Sequence, residues 1–121
     1  MKYDLTAERS AYNVLKNVFL SRAYSTIELD RALDNAPDRT HGKITALVYG
    51  VLEKSIRLDY IIDALAKAKV KNNIDVLLKM GLYELLYGKE PAYAVVDRYV
   101  TFAKDRFPGT QGFVNAILRH A

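Results

Sequence analysis

The sequence has no cysteine and no tryptophan, and only 3 prolines and 6 glycines among 121 residues. Without cysteine there are no disulfides, no zinc–thiolate sites and no thiol nucleophile, which suits a reducing compartment. Long hydrophobic runs are missing too. The longest nearly apolar stretch, Ile44 to Leu52, falls far short of the ~20 residues that span a bilayer. Asp4 and Glu8 stand where a secretory signal would need its apolar core. The expectation is a cytoplasmic protein with no membrane partner. No glycine-rich loop follows a strand, so a nucleotide or S-adenosylmethionine site within the chain is not expected.

Half of the residues are hydrophobic and 26% are charged, a balance that specifies a globular chain and not a disordered one. At this length one domain, residues 1–121, is expected. The net charge of +4 and pI of 9.3 permit a nucleic-acid partner without demanding one.

Apolar residues recur at helical spacing almost throughout. Ala11, Val14, Leu15, Val18 and Phe19 form one stripe. Ser25-Thr26-Ile27-Glu28 has the form of a capping box opening a second helix with Leu29, Ala32, Leu33 and Ala36 inward. After Pro37 the spacing predicts a helix from Asp38 that can run to Leu58, with Ile44, Leu47, Val48, Val51 and Leu52 buried. Leu58, Ile61, Ile62, Leu65 and Ala66 form the next stripe. Asn72 or Asn73 can cap a fifth helix. This fifth helix is apolar over so wide an arc, from Ile74 to Leu86, that it should be central. Gly88 ends it. Pro91 starts a sixth with Val95, Val96, Tyr99, Phe102 and Ala103 inward, and Thr110 caps the last. The fold expected is all-α, a compact bundle of six to seven short helices.

No catalytic constellation appears. His41 and His120 lie in different elements with no carboxylate at ligand spacing, so no metal site is expected. Asp59 and Asp63 are paired at i, i+4, but Lys67 follows Asp63 at the same spacing, and a solvated, partly paired helix face explains all three. Gly109-Thr110-Gln111-Gly112 has the GxxG form of a KH loop, but KH domains need strands and Pro-Gly-Thr is ordinary helix-start chemistry. The basic residues say more. On one helix from 38 to 58, Arg39, Lys43, Gly50, Lys54 and Arg57 fall within about 60° of one another. On the first helix Arg9, Asn13 and Lys16 share the face opposite the core, with Tyr12 beside it. Cations near an aromatic ring suit phosphate contact with base stacking. Tyr83, Tyr87 and Tyr93 cluster around the fifth and sixth helices, where rings are more often core and rim than a ligand box. Asn115, an amide among Phe113, Val114, Ile117 and Leu118, is costly if buried unpaired; either it pins a neighbouring helix end or loop, or it faces a partner.

Several of these blocks also carry a family resemblance. Leu47-Val48-Tyr49-Gly50-Val51-Leu52, Arg57-Leu58-Asp59-Tyr60-Ile61-Ile62, Met80-Gly81-Leu82-Tyr83-Glu84-Leu85-Leu86-Tyr87, Glu90-Pro91-Ala92-Tyr93-Ala94-Val95-Val96 and Phe113-Val114-Asn115-Ala116-Ile117-Leu118-Arg119 resemble NusB-like RNA-binding domains. They stand in family order, from about Arg9 to Arg119. The resemblance implies two related three-helix halves. The Tyr-Gly-Val-Leu helix, the Gly-Leu-Tyr-Glu-Leu-Leu-Tyr block and the Arg after Ala-Ile-Leu are most similar to the N-terminal domain of bacterial 16S rRNA cytosine-C5 methyltransferases (the RsmB, Sun or Fmu type). Stand-alone NusB-like proteins carry a denser N-terminal arginine cluster, where this chain has Lys2 and Arg9, and usually an acid at the place of Arg119. Asp97-Arg98 departs from the polar–acidic pair common in the family.

What the resemblance implies is an RNA-binding module of a longer protein, without activity of its own. Its catalytic domain, with the attacking cysteine and S-adenosylmethionine, would lie outside this chain. Ribosomal RNA and that C-terminal catalytic domain are the implied partners. By the same resemblance Arg9, Lys16, Lys43, Lys54, Arg57 and Arg119 are the implied RNA contacts. The alternative implied is an antitermination adaptor that binds RNA and a ribosomal protein.

Overall fold

Apolar residues repeating every three to four positions can hide only by forming helices that pack stripe to stripe. The computed structural model describes residues 3–121 and contains seven α-helices, with no strand among the described residues. These are α1 (Thr6–Ser21), α2 (Ser25–Asp34), α3 (His41–Glu53), α4 (Ser55–Ala66), α5 (Asn72–Tyr87), α6 (Ala92–Arg106) and α7 (Gln111–Arg119), with a single 3₁₀ turn at Asp38–Thr40. The chain divides into two packed units, one ending at Glu53 and one running from Lys54 to Ala121.

In the first unit α1 packs on both α2 and α3. Ala11, Tyr12, Val14 and Leu15 of α1 meet Leu29 of α2 and Ile44, Leu47, Val48 and Val51 of α3, all buried. Each fully buried aliphatic side chain contributes about 1.5–3 kcal/mol relative to exposure. Tyr12 departs from expectation: it is fully buried and belongs to the core, not to a stacking surface. Its ring lies one residue from the Ala11 stripe, and burial of that large apolar area outweighs its hydroxyl.

In the second unit α5 is central, as its wide apolar arc predicts, packing on α4, α6 and α7. Gly81 lets α7 close in: a Cβ there would stand 3.0 Å from Leu118 Cδ2. Gly88 ends α5, its N–H donating to Glu84 O, and a Cβ at that position would sit 2.5 Å from the same oxygen. Val95, Val96, Tyr99, Phe102 and Ala103 of α6 are all buried.

Local details differ from the sequence reading. The helix from 38 to 58 is not continuous: α3 ends at Glu53 and α4 starts at Ser55, with Lys54 between them at φ −100°, ψ 10°. A count of 100° per residue therefore does not carry past Lys54. Ser25 makes no side-chain cap. Tyr24 holds the cap position, and Glu28 accepts instead from Asn17 Nδ2 at 2.5 Å and Arg31 Nη1 at 3.0 Å. A charge-assisted bond to a guanidinium is stronger than a neutral one, which explains why the box gives way. Lys71, not an asparagine, precedes α5, and again no side chain caps it. Thr110 does hold the cap position of α7, but its hydroxyl donates to Phe107 O at 2.6 Å.

Candidate nucleic-acid interface

The six candidate cations fall into different surroundings. On α1, Arg9 is exposed and Lys16 half-buried. Arg9, Asn13 and Lys16 lie within about 60° of arc at 100° per residue, opposite the buried Ala11 and Leu15. Lys16 makes no ion pair among the described residues. Lys2 lies outside the described residues.

Lys43 has an internal task. Its Nζ stands 2.7 Å from Glu8 Oε2, and that carboxylate is only 2% exposed. A buried carboxylate needs its counter-charge, so Lys43 serves the fold of the first unit. Arg39, the neighbouring cation, pairs with Asp4 at 3.0 Å. Asp4 also accepts from the Thr6 hydroxyl at 2.6 Å and the Thr6 N–H at 3.0 Å. The Thr6 bonds, with Arg39 adding to them, hold the Asp4 carboxyl below its usual range.

In the second unit Lys54 Nζ sits 5.1 Å from the centre of the Tyr87 ring, a cation–π contact. Tyr87 in turn lies 5.5 Å from the Tyr83 ring. Arg57 is exposed on α4. Arg119 is exposed, and its Nε donates to Asn115 Oδ1 at 2.7 Å. Asn115 thus orients a cation one turn away in its own helix, neither pinning another helix nor standing unpaired. Tyr93 is separate from the other two tyrosines, exposed at the edge of a groove of about 320 Å³ with Leu85, Leu86, Val96 and Leu118.

Asp59 does not complete an acid pair with Asp63; it meets Lys79 of α5 at 2.9 Å, and Asp75 meets the same ammonium at 2.6 Å. His41 Nε2 lies 3.0 Å from Ala36 O and His120 is exposed. No group of three metal-binding side chains stands together among the described residues.

One feature the sequence reading passed over is a groove of about 270 Å³ in the first unit, between α1 and α2, where polar side chains stand around Val14 and Ala32. Ser10, Asn13 and Asn17 line one wall, and Glu28, Arg31 and Asn35 the other. Spacing gave part of the signal, because Asn13 and Asn17 repeat at i, i+4, as do Arg31 and Asn35. That the two polar rows face each other follows only from how α1 and α2 pack.

The sequence profile of the NusB family matches residues 6–121. The chain belongs to the NusB family. Among the NusB-family chain's relatives is ribosomal RNA small subunit methyltransferase B of Thermus thermophilus, 39% identical over 95 residues, covering 75% of this chain and 24% of the relative. The probable ribosomal RNA small subunit methyltransferase B of Bacillus subtilis is 35% identical over 105 residues, covering 82% of this chain and 24% of the relative. The transcription antitermination protein NusB of Bacillus velezensis is 30% identical over 120 residues, covering 93% of this chain and 90% of that protein. The chain thus spans about a quarter of the length of the methyltransferase relatives. Among the described residues, no helix of the NusB-family chain is long and apolar enough to cross a membrane.

Proposed function

We propose that this domain is the RNA-binding module of a 16S rRNA cytosine-C5 methyltransferase, holding ribosomal RNA for a catalytic domain outside the chain. The likeness to several methyltransferase B proteins, each matched over roughly a quarter of its length, supports the setting. The cation-bearing face of α1 carries the RNA part of the reading. Arg9 and Lys16 share that face with an amide, opposite the buried stripe, where cations can neutralise phosphates. Arg57 and Lys54, the latter stacked on Tyr87, extend the set in the second unit, and Arg119 is held ready by Asn115. Lys43 is the weakest of the six, since phosphate contact would compete with Glu8. No step of methyl transfer is assigned to these residues.

The test is a titration of the 121-residue chain with a small-subunit rRNA fragment at several salt concentrations. The double substitution Arg9→Ala, Lys16→Ala should weaken binding and flatten the dependence of log K on log[salt] by roughly 0.7–0.9 per lost contact. Unchanged affinity and slope would remove α1 from the interface. The 90% coverage of an antitermination protein favours a second reading, an adaptor binding RNA together with a ribosomal protein. Tight binding of a ribosomal protein that strengthens binding of antiterminator RNA, with no preference for rRNA, would decide for it.

A further inference from the structure

We infer that the link between α4 and α5 is a phosphate-binding edge, on which Lys67, Lys69 and Lys71 hold successive phosphates of one RNA strand. This rests on the RNA-binding reading above and deepens it, with contacts at residues outside the cations already considered. The link is Lys67-Ala68-Lys69-Val70-Lys71, leading from the end of α4 at Ala66 to the start of α5 at Asn72. Lysine recurs at every second position. In extended backbone, which Lys71 adopts at φ −60°, ψ 142°, alternate residues share one side and stand at most about 7 Å apart. A single RNA strand drawn along the link offers one negative charge per nucleotide on the same scale, the way a basic surface tracks a nucleic-acid backbone.

All three lysines are exposed, and none makes an ion pair or hydrogen bond among the described residues. The acids of the adjoining helices do not offset them. Asp59 and Asp75 both turn to Lys79, and Asp63, four positions before Lys67, makes no ion pair among the described residues. Like charges so close together repel, and a bound anion relieves that repulsion. Helix-end electrostatics account for part of the run and not the rest. Lys67 closes α4 at φ 58°, where a cation suits the negative end of the helix dipole. Lys71 does the opposite. It holds the cap position of α5, where the dipole disfavours a cation, and it supplies none of the side-chain capping that Asn, Asp, Ser or Thr would give. A residue set against its own helix is the mark expected of a binding role.

At its Lys67 end the link borders a groove of about 510 Å³ between α4 and α7, lined by Leu65, Phe113, Ala116, Ile117 and His120 among others. The side chains lining it are apolar apart from Lys67 and His120. A strand that follows the lysines can therefore lay a base over apolar surface, with no particular hydrogen-bond pattern required, as in sequence-tolerant single-strand binding. An acidic polypeptide would meet the same cations, but its backbone does not carry a charge at every unit.

The experiment titrates the 121-residue chain with a single-stranded oligo(U) ribonucleotide at several salt concentrations, read by fluorescence anisotropy. Lys67→Gln with Lys69→Gln and Lys71→Gln should flatten the dependence of log K on log[salt] by about 2, at about 0.7 for each lost single-strand contact. Near 0.1 M salt the same change weakens binding roughly 100-fold. Lys67→Arg with Lys69→Arg and Lys71→Arg keeps the charges and should keep the slope. Lys69→Gln alone, outside both helices, should flatten the slope by about 0.7, a second reading of the edge should the triple variant not fold. Slopes unchanged in the glutamine variants, while the wild type binds, overturn the phosphate edge and leave RNA binding standing. Poly-glutamate is the acidic-polypeptide probe. If the triple glutamine variant loses affinity for it and keeps the oligo(U) slope, the link serves a protein partner and the proposal falls. No binding of the wild type to oligo(U) or to the rRNA fragment overturns the RNA reading as well.

Discussion

In the unit from Lys54 to Ala121, charged side chains turn inward. Glu84 and Arg98 are buried. Arg98 reaches Glu84 at 3.3 Å and also Glu90 in the loop before α6, while the Tyr99 hydroxyl donates to the second oxygen of Glu84. Lys79, also buried, gathers Asp59 and Asp75. Among the described residues of the unit ending at Glu53, only Glu8, a buried acid with its Lys43, follows this pattern. There the amides of α1 and α2, with Glu28 and Arg31, line an open groove instead. Polar groups that satisfy one another define one packing and leave little for a partner; those facing solvent cost little when unpaired and remain available for a ligand. The contrast separates charges that hold helices from charges that we propose hold RNA.

The sharpest way to break that contrast is Arg98→Ala. It strips the counter-charge from buried Glu84 and frees Glu90, and removing one partner of a buried ion pair costs about 3–5 kcal/mol. Urea denaturation should show this loss, while affinity for the rRNA fragment should stay near wild type wherever the variant remains folded. A fall in RNA affinity of the folded variant would mean that the second unit's inner network also serves binding.

Next in size is Lys43→Ala, which takes a counter-charge from buried Glu8 and should cost roughly 1–3 kcal/mol. Adding Glu8→Gln should recover most of the stability, because the neutral amide needs no cation. If RNA binding falls in Lys43→Ala and returns with Glu8→Gln, Lys43 acts through the fold. If it falls and stays low, Lys43 touches phosphate after all.

The seven helices, the central place of α5 and the inward face of α6 were legible in the sequence, because burial at a period of 3.6 residues leaves a repeating mark. What escaped depended on events between helices or on competing partners. Ser25 had the right spacing for a capping box, but Glu28 found Asn17 and Arg31. Tyr12 looked like a surface aromatic and is core. The third helix read as running on to Leu58 because nothing in Glu53-Lys54-Ser55 is a helix breaker. The Glu84–Arg98–Tyr99 network and the α1–α2 groove join residues 11 to 25 positions apart, and only packing shows that they meet.

The smallest expected effect concerns Lys79 and is read through pH. Burial alone would lower its pKa, but the hydrogen bonds and charges of Asp75 and Asp59 outweigh burial, and the net shift is upward. A pKa raised by folding means that the ammonium's contribution to stability is complete below the unfolded lysine value of about 10.4 and is lost as pH climbs through the higher folded value. Because Asp59 is largely exposed, the contribution should be only about 1 kcal/mol. Thermal melts of the wild type and Lys79→Arg should therefore run parallel at neutral pH and diverge above pH ~10, the arginine variant keeping its pairing. Parallel curves through pH 11 would show that the two carboxylates add nothing, and that Lys79 is buried there for its aliphatic stem.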